Sequence, residues 1–255
     1  MLIKADERVP IARLLQFLEH GERLAHDCAK DQARLAPEAG VRRFLLAQAR
    51  QEYAHAVIFQ GAIAWLAPRH VGACPLLPPL ERYRSLLEEA LRKGRLGETF
   101  MAEQIILEGL GEAILSRIEE GLTKRQAPFA RLRRILLHQE EAHHDFGRRM
   151  LDRGFAAESE STDTLRRRAQ DYLALTDAMV RGVADLFDSI DEDPGLYASR
   201  ARSYLPDWLM GTRSGLEAMG YRHEANIGPA PCLVPLAFLL VAKKGSDARR
   251  QGSEE

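Results

Sequence analysis

LLHQEEAHHDFGRR, residues Leu136 to Arg149, decides how this chain is read. It holds Glu140-x-x-His143 and, one residue on, Glu141-x-x-His144, within a stretch that otherwise has the pattern of a helix interior. Residues three apart project from the same side of a helix, so either pair has the geometry to grip one metal ion. A counterpart lies far upstream, where QEYAH, residues Gln51 to His55, contains Glu52-x-x-His55.

Two further acids extend the pattern. EHGERLAHD places Glu22 inside the first helical stretch, and AEQIILEGLGEAIL places Glu108 in the most apolar part of the third. An ionised carboxylate there is costly to desolvate unless a cation or a hydrogen-bond donor meets it. The order is therefore Glu22, Glu52-x-x-His55, a long connection, Glu108 and Glu140-x-x-His143, with gaps of 30 residues (52 minus 22) and 32 residues (140 minus 108). One Glu from each of two helices and one Glu-x-x-His from each of two more is the ligand pattern of di-metal carboxylate four-helix bundles. Neighbours leave alternatives open: Glu19 near Glu22, Glu103 and Glu112 around Glu108, and the pair Glu141 and His144.

The rest of the chain fits an all-α fold. Helical patterns run from Pro10 to about Leu35, from Val41 to Leu66, from Gly97 to Glu120 and from Phe129 to Leu151. Residues 68–80, PRHVGACPLLPPL, contain four prolines and a glycine and read as a crossover without helix, followed by a short amphipathic helix from Glu81 to Lys93. A fifth helix, opened by Ser161, Thr162 or Asp163, is expected to reach Ser189, with weaker helical pattern from Pro194 to Met219. The expected division is a bundle over residues 1–155 and a helical extension over 156–255 that packs on or caps it, with the last dozen residues frayed. The apolar segment Pro231 to Ala242 is too short to span a bilayer and reads as a docking segment or a buried strand-like tail.

Composition narrows the function. Thirty-six Lys and Arg against 37 Asp and Glu give a net charge of -1, so no overall basic field draws the chain to nucleic acid or to an acidic membrane. The three cysteines, Cys28, Cys74 and Cys232, form no Cys-x-x-Cys pair, and the charged N-terminus lacks the apolar stretch of a signal peptide. A cytoplasmic protein without a membrane span is expected.

Over residues 10–152 the chain resembles the ferritin-like superfamily. EEAHHDFG is similar to the Glu-x-x-His-x-x-x-Gly stretch of ribonucleotide reductase small subunits and their ligand-binding oxidase relatives, and to the fourth helix of aldehyde-deformylating oxygenases. LEGLGEAIL is similar to the third-helix Glu-Gly segment of those oxidases. The resemblance selects Glu140 and His143, because Gly147 follows His143 by four residues. It implies a ferritin-like bundle with a long crossover, holding two iron ions, or iron with manganese, on Glu22, Glu52, His55, Glu108, Glu140 and His143. The chain also departs from these families. Phe59 stands where radical-carrying reductase subunits have a tyrosine, the cysteine-ligated iron domain of rubrerythrins is missing, and ferritins have no counterpart of residues 160–255.

The expected activity is dioxygen-dependent oxidation of a small, largely apolar organic substrate by a homodimer, with electrons from a reductase or from the substrate. Phe59, Ile105, Gly109 and Phe146 are the expected substrate surroundings, and His26, Glu112 and His144 the candidates for an extra ligand or an outer partner. Gly109 and Gly111 each cost about 1 kcal/mol relative to alanine inside a helix, so close packing or open space should offset them. The alternatives are an iron-oxidising protein of ferritin or rubrerythrin type and a tRNA-modifying di-iron hydroxylase. The Arg-rich runs at 131–134 and 166–168 have no interleaved aromatic residues, which argues against a nucleic-acid partner.

Overall fold

Pro37 separates the first two long helices, because proline lacks an N–H and disfavours helical backbone in the residue before it. A computed structural model describes residues 8–66, 77–124, 126, 130–156, 161–182 and 193–210, and among these every element is a helix. Helix α1 (Arg8–Leu35) leads into α2 (Ala39–Leu66), and α3 (Leu77–Arg92) follows. Next come α4 (Leu96–Phe100), the π-helical segment π1 (Met101–Leu107) and α5 (Glu108–Lys124), which run on as one rod with right-handed helical backbone at both junctions. Helix α6 (Ala130–Ala156), α7 (Thr162–Gly182), α8 (Pro194–Ser203) and α9 (Asp207–Met210) complete the described chain.

Side-chain partners fix the directions of the four long helices. Going down α1 from His26 to Glu22 to Glu19, the partners climb α2 from Ala49 to His55 to Gln60, so the two run antiparallel. Helix α6 is antiparallel to α2, with His143 beside Gln51 and Glu140 beside His55. It is also antiparallel to the rod, with Arg133 on Glu119 and Gly147 on Gln104. Helix α2 and the rod therefore point the same way, with α3 between them in the sequence. That topology is compatible with a ferritin-like bundle.

Helix α3 begins earlier than the sequence pattern predicts, at Leu77. Pro78 and Pro79 occupy its first turn, where a missing N–H removes no intrahelical bond. Residues 77–80 thus belong to helix and not to the crossover. Just past its last residue, Arg92, the helix is closed by Gly94, whose φ of 67° is the left-handed conformation that closes helices, with Gly94 N–H on the Leu91 carbonyl and Arg95 N–H on that of Ala90.

One main apolar core joins α1, α2, α3, the rod and α6 to α7, α8 and α9 through Leu165, Tyr172, Tyr197, Leu205 and Leu209. The Tyr83 and Tyr172 rings lie 4.7 Å apart at the α3–α7 contact. Asp193 caps α8, accepting from Gly195 N–H at 2.8 Å, with Pro194 following as the first helical residue. The expected ends of the fifth helix at Ser189 and of the following helical pattern at Met219 lie outside the described residues, as do the apolar segment 231–242 and the chain terminus. No helix among the described residues is long and apolar enough to cross a membrane.

Gly147 lets α6 approach π1 closely, since a β-carbon there would stand 2.5 Å from the Gln104 Cβ and 3.4 Å from Ile105 Cγ1. Gly147→Ala is expected to cost about 1–3 kcal/mol by overpacking, read as a lower urea midpoint with an unchanged slope.

Candidate metal centre

The fold brings the six residues Glu22, Glu52, His55, Glu108, Glu140 and His143 together from four helices. Glu22, Glu52, His55 and Glu140 form one group, and Glu52, Glu108, Glu140 and His143 a second; within each, one candidate donor atom per residue lies within 4.8 Å of the others. Glu52 and Glu140 belong to both, and are the two carboxylates that the groups share. All six are buried, from 0 % exposure at Glu52 to 8 % at Glu22.

Both histidines turn the same nitrogen inward. His55 Nδ1 lies 2.9 Å from Glu140 Oε1, 3.2 Å from Glu22 Oε2 and 3.3 Å from Glu52 Oε2. His143 Nδ1 lies 2.8 Å from Glu52 Oε1, 3.9 Å from Glu108 Oε1 and 4.0 Å from Glu140 Oε2. The outward Nε2 atoms meet glutamines: His55 Nε2 is 2.9 Å from Gln139 Oε1, and His143 Nε2 is 2.8 Å from Gln51 Oε1. Each Nε2–H donates to an amide oxygen, which fixes the tautomer and leaves the Nδ1 lone pair for a metal.

The glutamines were not singled out by the sequence reading, yet the signal was there. Each immediately precedes a motif glutamate, in QEYAH (51–55) and QEEAH (139–143), and each crosses to the histidine of the other motif. Loss of such an outer partner lowers metal affinity by about 10–100-fold. Gln139→Ala is expected to weaken binding on the His55 side by that factor and Gln51→Ala on the His143 side, measured by competition with a calibrated chelator.

Electrostatics expose how much the cluster needs a cation. Burial, reinforced by the Glu140 charge, pushes Glu22 well above the ordinary carboxylate range, and burial with the Glu52 and Glu140 charges does the same to Glu108. Burial would raise Glu52, but attraction to the His143 and His55 imidazoles outweighs it and holds the carboxyl well below the ordinary range. Burial would lower His55, but the nearby carboxylates of Glu140, Glu22 and Glu52 outweigh it and raise the imidazole well above its ordinary value. Even so, both Glu52 oxygens, Glu140 Oε1 and His143 Nδ1 are buried without a hydrogen-bond partner; the 2.8 Å approach of His143 to Glu52 is close but not aligned as one. Buried polar atoms left unpaired are expensive, and two cations at the shared carboxylates would satisfy all four. Four carboxylates and two imidazoles form a donor set suited to iron or manganese.

The neighbouring candidates other than Glu103 face elsewhere. Glu19 is engaged by Arg23 and by Gln60 at 3.0 Å, and Glu141 is exposed beside His138. His26 Nδ1 meets the Ala49 carbonyl at 2.6 Å and stitches α1 to α2. Glu112 accepts from Tyr204 O–H at 2.6 Å, and His144 stands edge-on to the Tyr204 ring at 4.5 Å; burial lowers the His144 imidazole to about 4. None of His26, Glu112 and His144 belongs to either group. Gly109, expected to leave room for substrate, is covered by the same ring: a β-carbon would lie 2.7 Å from Tyr204 Cδ2. Phe59 and Ile105 sit in the main core, and Phe146 stacks on Phe44 at 3.9 Å, with Phe44 edge-on to His143.

No protein-family model matches the sequence and no curated protein matches it either, so the centre stands on its own geometry.

Proposed function

We propose that the chain is a di-metal oxidase or oxygenase that uses dioxygen to oxidise a small, largely apolar organic molecule. The observation that carries this reading is the pair of overlapping ligand groups sharing Glu52 and Glu140, each completed by one histidine and one terminal glutamate. Two iron ions held there, or iron with manganese, supply the electron-transfer chemistry that lets dioxygen react with an organic molecule.

The chain's own residues do the rest. Glu22 and His55 would hold one ion, Glu108 and His143 the other, and Glu52 and Glu140 both. Gln139 and Gln51 keep the two Nδ1 atoms inward. Phe44, edge-on to His143 and stacked on Phe146, gives the centre an apolar neighbour on that side, and Phe59, Ile105 and Ile106 add to the buried core of the same helices; apolar surroundings of this kind exclude water from reacting groups. The two remaining electrons come from a partner reductase or from the substrate.

Anaerobic ferrous loading followed by mixing with oxygenated buffer tests the proposal. Two irons per chain, one dioxygen consumed per pair and an absorption transient whose decay is accelerated by one class of apolar substrate are expected. Continued iron uptake to many ions per chain, with no substrate effect, would point to iron storage. A chain that takes up no iron would be a helical adaptor.

A further inference from the structure

Glu103 is a carboxylate that the six-residue pattern leaves unused. It is 0 % exposed, lies in π1, and keeps Oε2 without any hydrogen-bond partner. Its Oε1 accepts from Gln48 Nε2 at 3.1 Å, and the same amide nitrogen stands 3.5 Å from Glu108 Oε1. Gln48 is itself held by Gln104, and Gln104 by Gln32, so a ladder of buried amides positions the pair of glutamates.

The π-helical backbone explains why the two acids share a side. An α-helix turns about 100° per residue, which would put residues five apart roughly 140° from each other. A π-helical turn takes about 4.4 residues, so five residues return nearly to the same face; the Glu108 N–H donates to the Glu103 carbonyl across this wider turn. Gln48 Nε2 reaches both Glu103 Oε1 and Glu108 Oε1, so the Glu103 carboxylate stands beside the one glutamate that belongs to the second ligand group alone. On the first group's side, five residues before Glu22 in α-helical α1 stands buried Phe17, and the buried Glu19 of that helix is taken up by Arg23 and Gln60.

We propose that Glu103 is a fifth carboxylate of the metal centre, a ligand to the ion held by Glu52, Glu108, Glu140 and His143, and that it enters when this ion is trivalent. The proposal rests on the di-metal reading above. Four carboxylates with two neutral imidazoles balance two divalent ions, and a trivalent ion on one side calls for one more negative charge. Its unpartnered oxygen supplies that charge on the His143 side alone, which makes the two metal positions unequal despite their matching motifs.

Calorimetric titration of wild type and Glu103→Gln with Mn²⁺, and competition for Ga³⁺ delivered as its nitrilotriacetate complex, tests the idea without turnover. Both proteins are expected to bind two Mn²⁺ per chain with similar affinity, while Glu103→Gln binds Ga³⁺ at least about tenfold more weakly for want of one buried charge. Equal Ga³⁺ affinity with intact Mn²⁺ binding overturns the role of Glu103 and leaves the centre standing. Failure of wild type to bind either ion overturns the centre itself. Loss of Mn²⁺ as well in the variant contradicts the dependence on ion charge. Should Glu103→Gln melt early without metal, Glu103→Leu, which buries no polar atom, carries the same comparison.

Discussion

Glu52→Ala or Glu140→Ala is expected to empty both metal positions, whereas Glu22→Ala or Glu108→Ala weakens one and leaves its neighbour. The asymmetry follows from membership: Glu52 and Glu140 each stand in both ligand groups, while Glu22 and Glu108 stand in one. Removing a buried charge from a paired cluster costs on the order of 3–5 kcal/mol, about a thousandfold in affinity, which takes both sites beyond ordinary metal concentrations. Metal analysis after gel filtration should return near zero for the Glu52 and Glu140 variants and near one for the Glu22 and Glu108 variants. A uniform loss of one ion in all four would mean that no carboxylate bridges. Glu52→Gln, which keeps the volume, separates lost ligation from a packing defect.

Metal loading is expected to raise the melting temperature by roughly 16–32 °C: two sites at a thousandfold excess over their dissociation constants contribute about 4 kcal/mol each, at roughly 2–4 °C per kcal/mol for a chain of this size. The size of the effect reflects what the unloaded cluster endures. Glu22, Glu103 and Glu108 are buried carboxyls that desolvation drives toward their neutral forms, and both oxygens of Glu52 lack partners. Differential scanning calorimetry with and without chelator measures it, and a melting temperature indifferent to chelator would contradict a structural debt settled by metal.

The candidate ligand set was legible because its pattern is periodic. Glu-x-x-His puts two donors on one helix face, and glutamates in apolar stretches such as Ile105 to Leu110 have few uses other than meeting a cation. The helices themselves followed from apolar spacing and from Pro37. The π segment was hidden: around it Gly147 packs against Gln104 and the Gln32–Gln104–Gln48 ladder joins residues more than fifty positions apart in places, contacts that no local pattern announces. Pro78 and Pro79 misled because proline marks a helix's first turn as readily as a loop. Tyr204, which fills the space over Gly109, comes from a distant part of the chain, and no local pattern at Gly109 announces it.

Anomalous diffraction from crystals grown with manganese tests the central claim most directly. The account predicts two peaks per chain, one bonded to His55 Nδ1 and the other to His143 Nδ1, with Glu52 and Glu140 touching both. A single peak, or peaks confined to surface carboxylates while the six buried side chains stay hydrogen-bonded to one another, would contradict it.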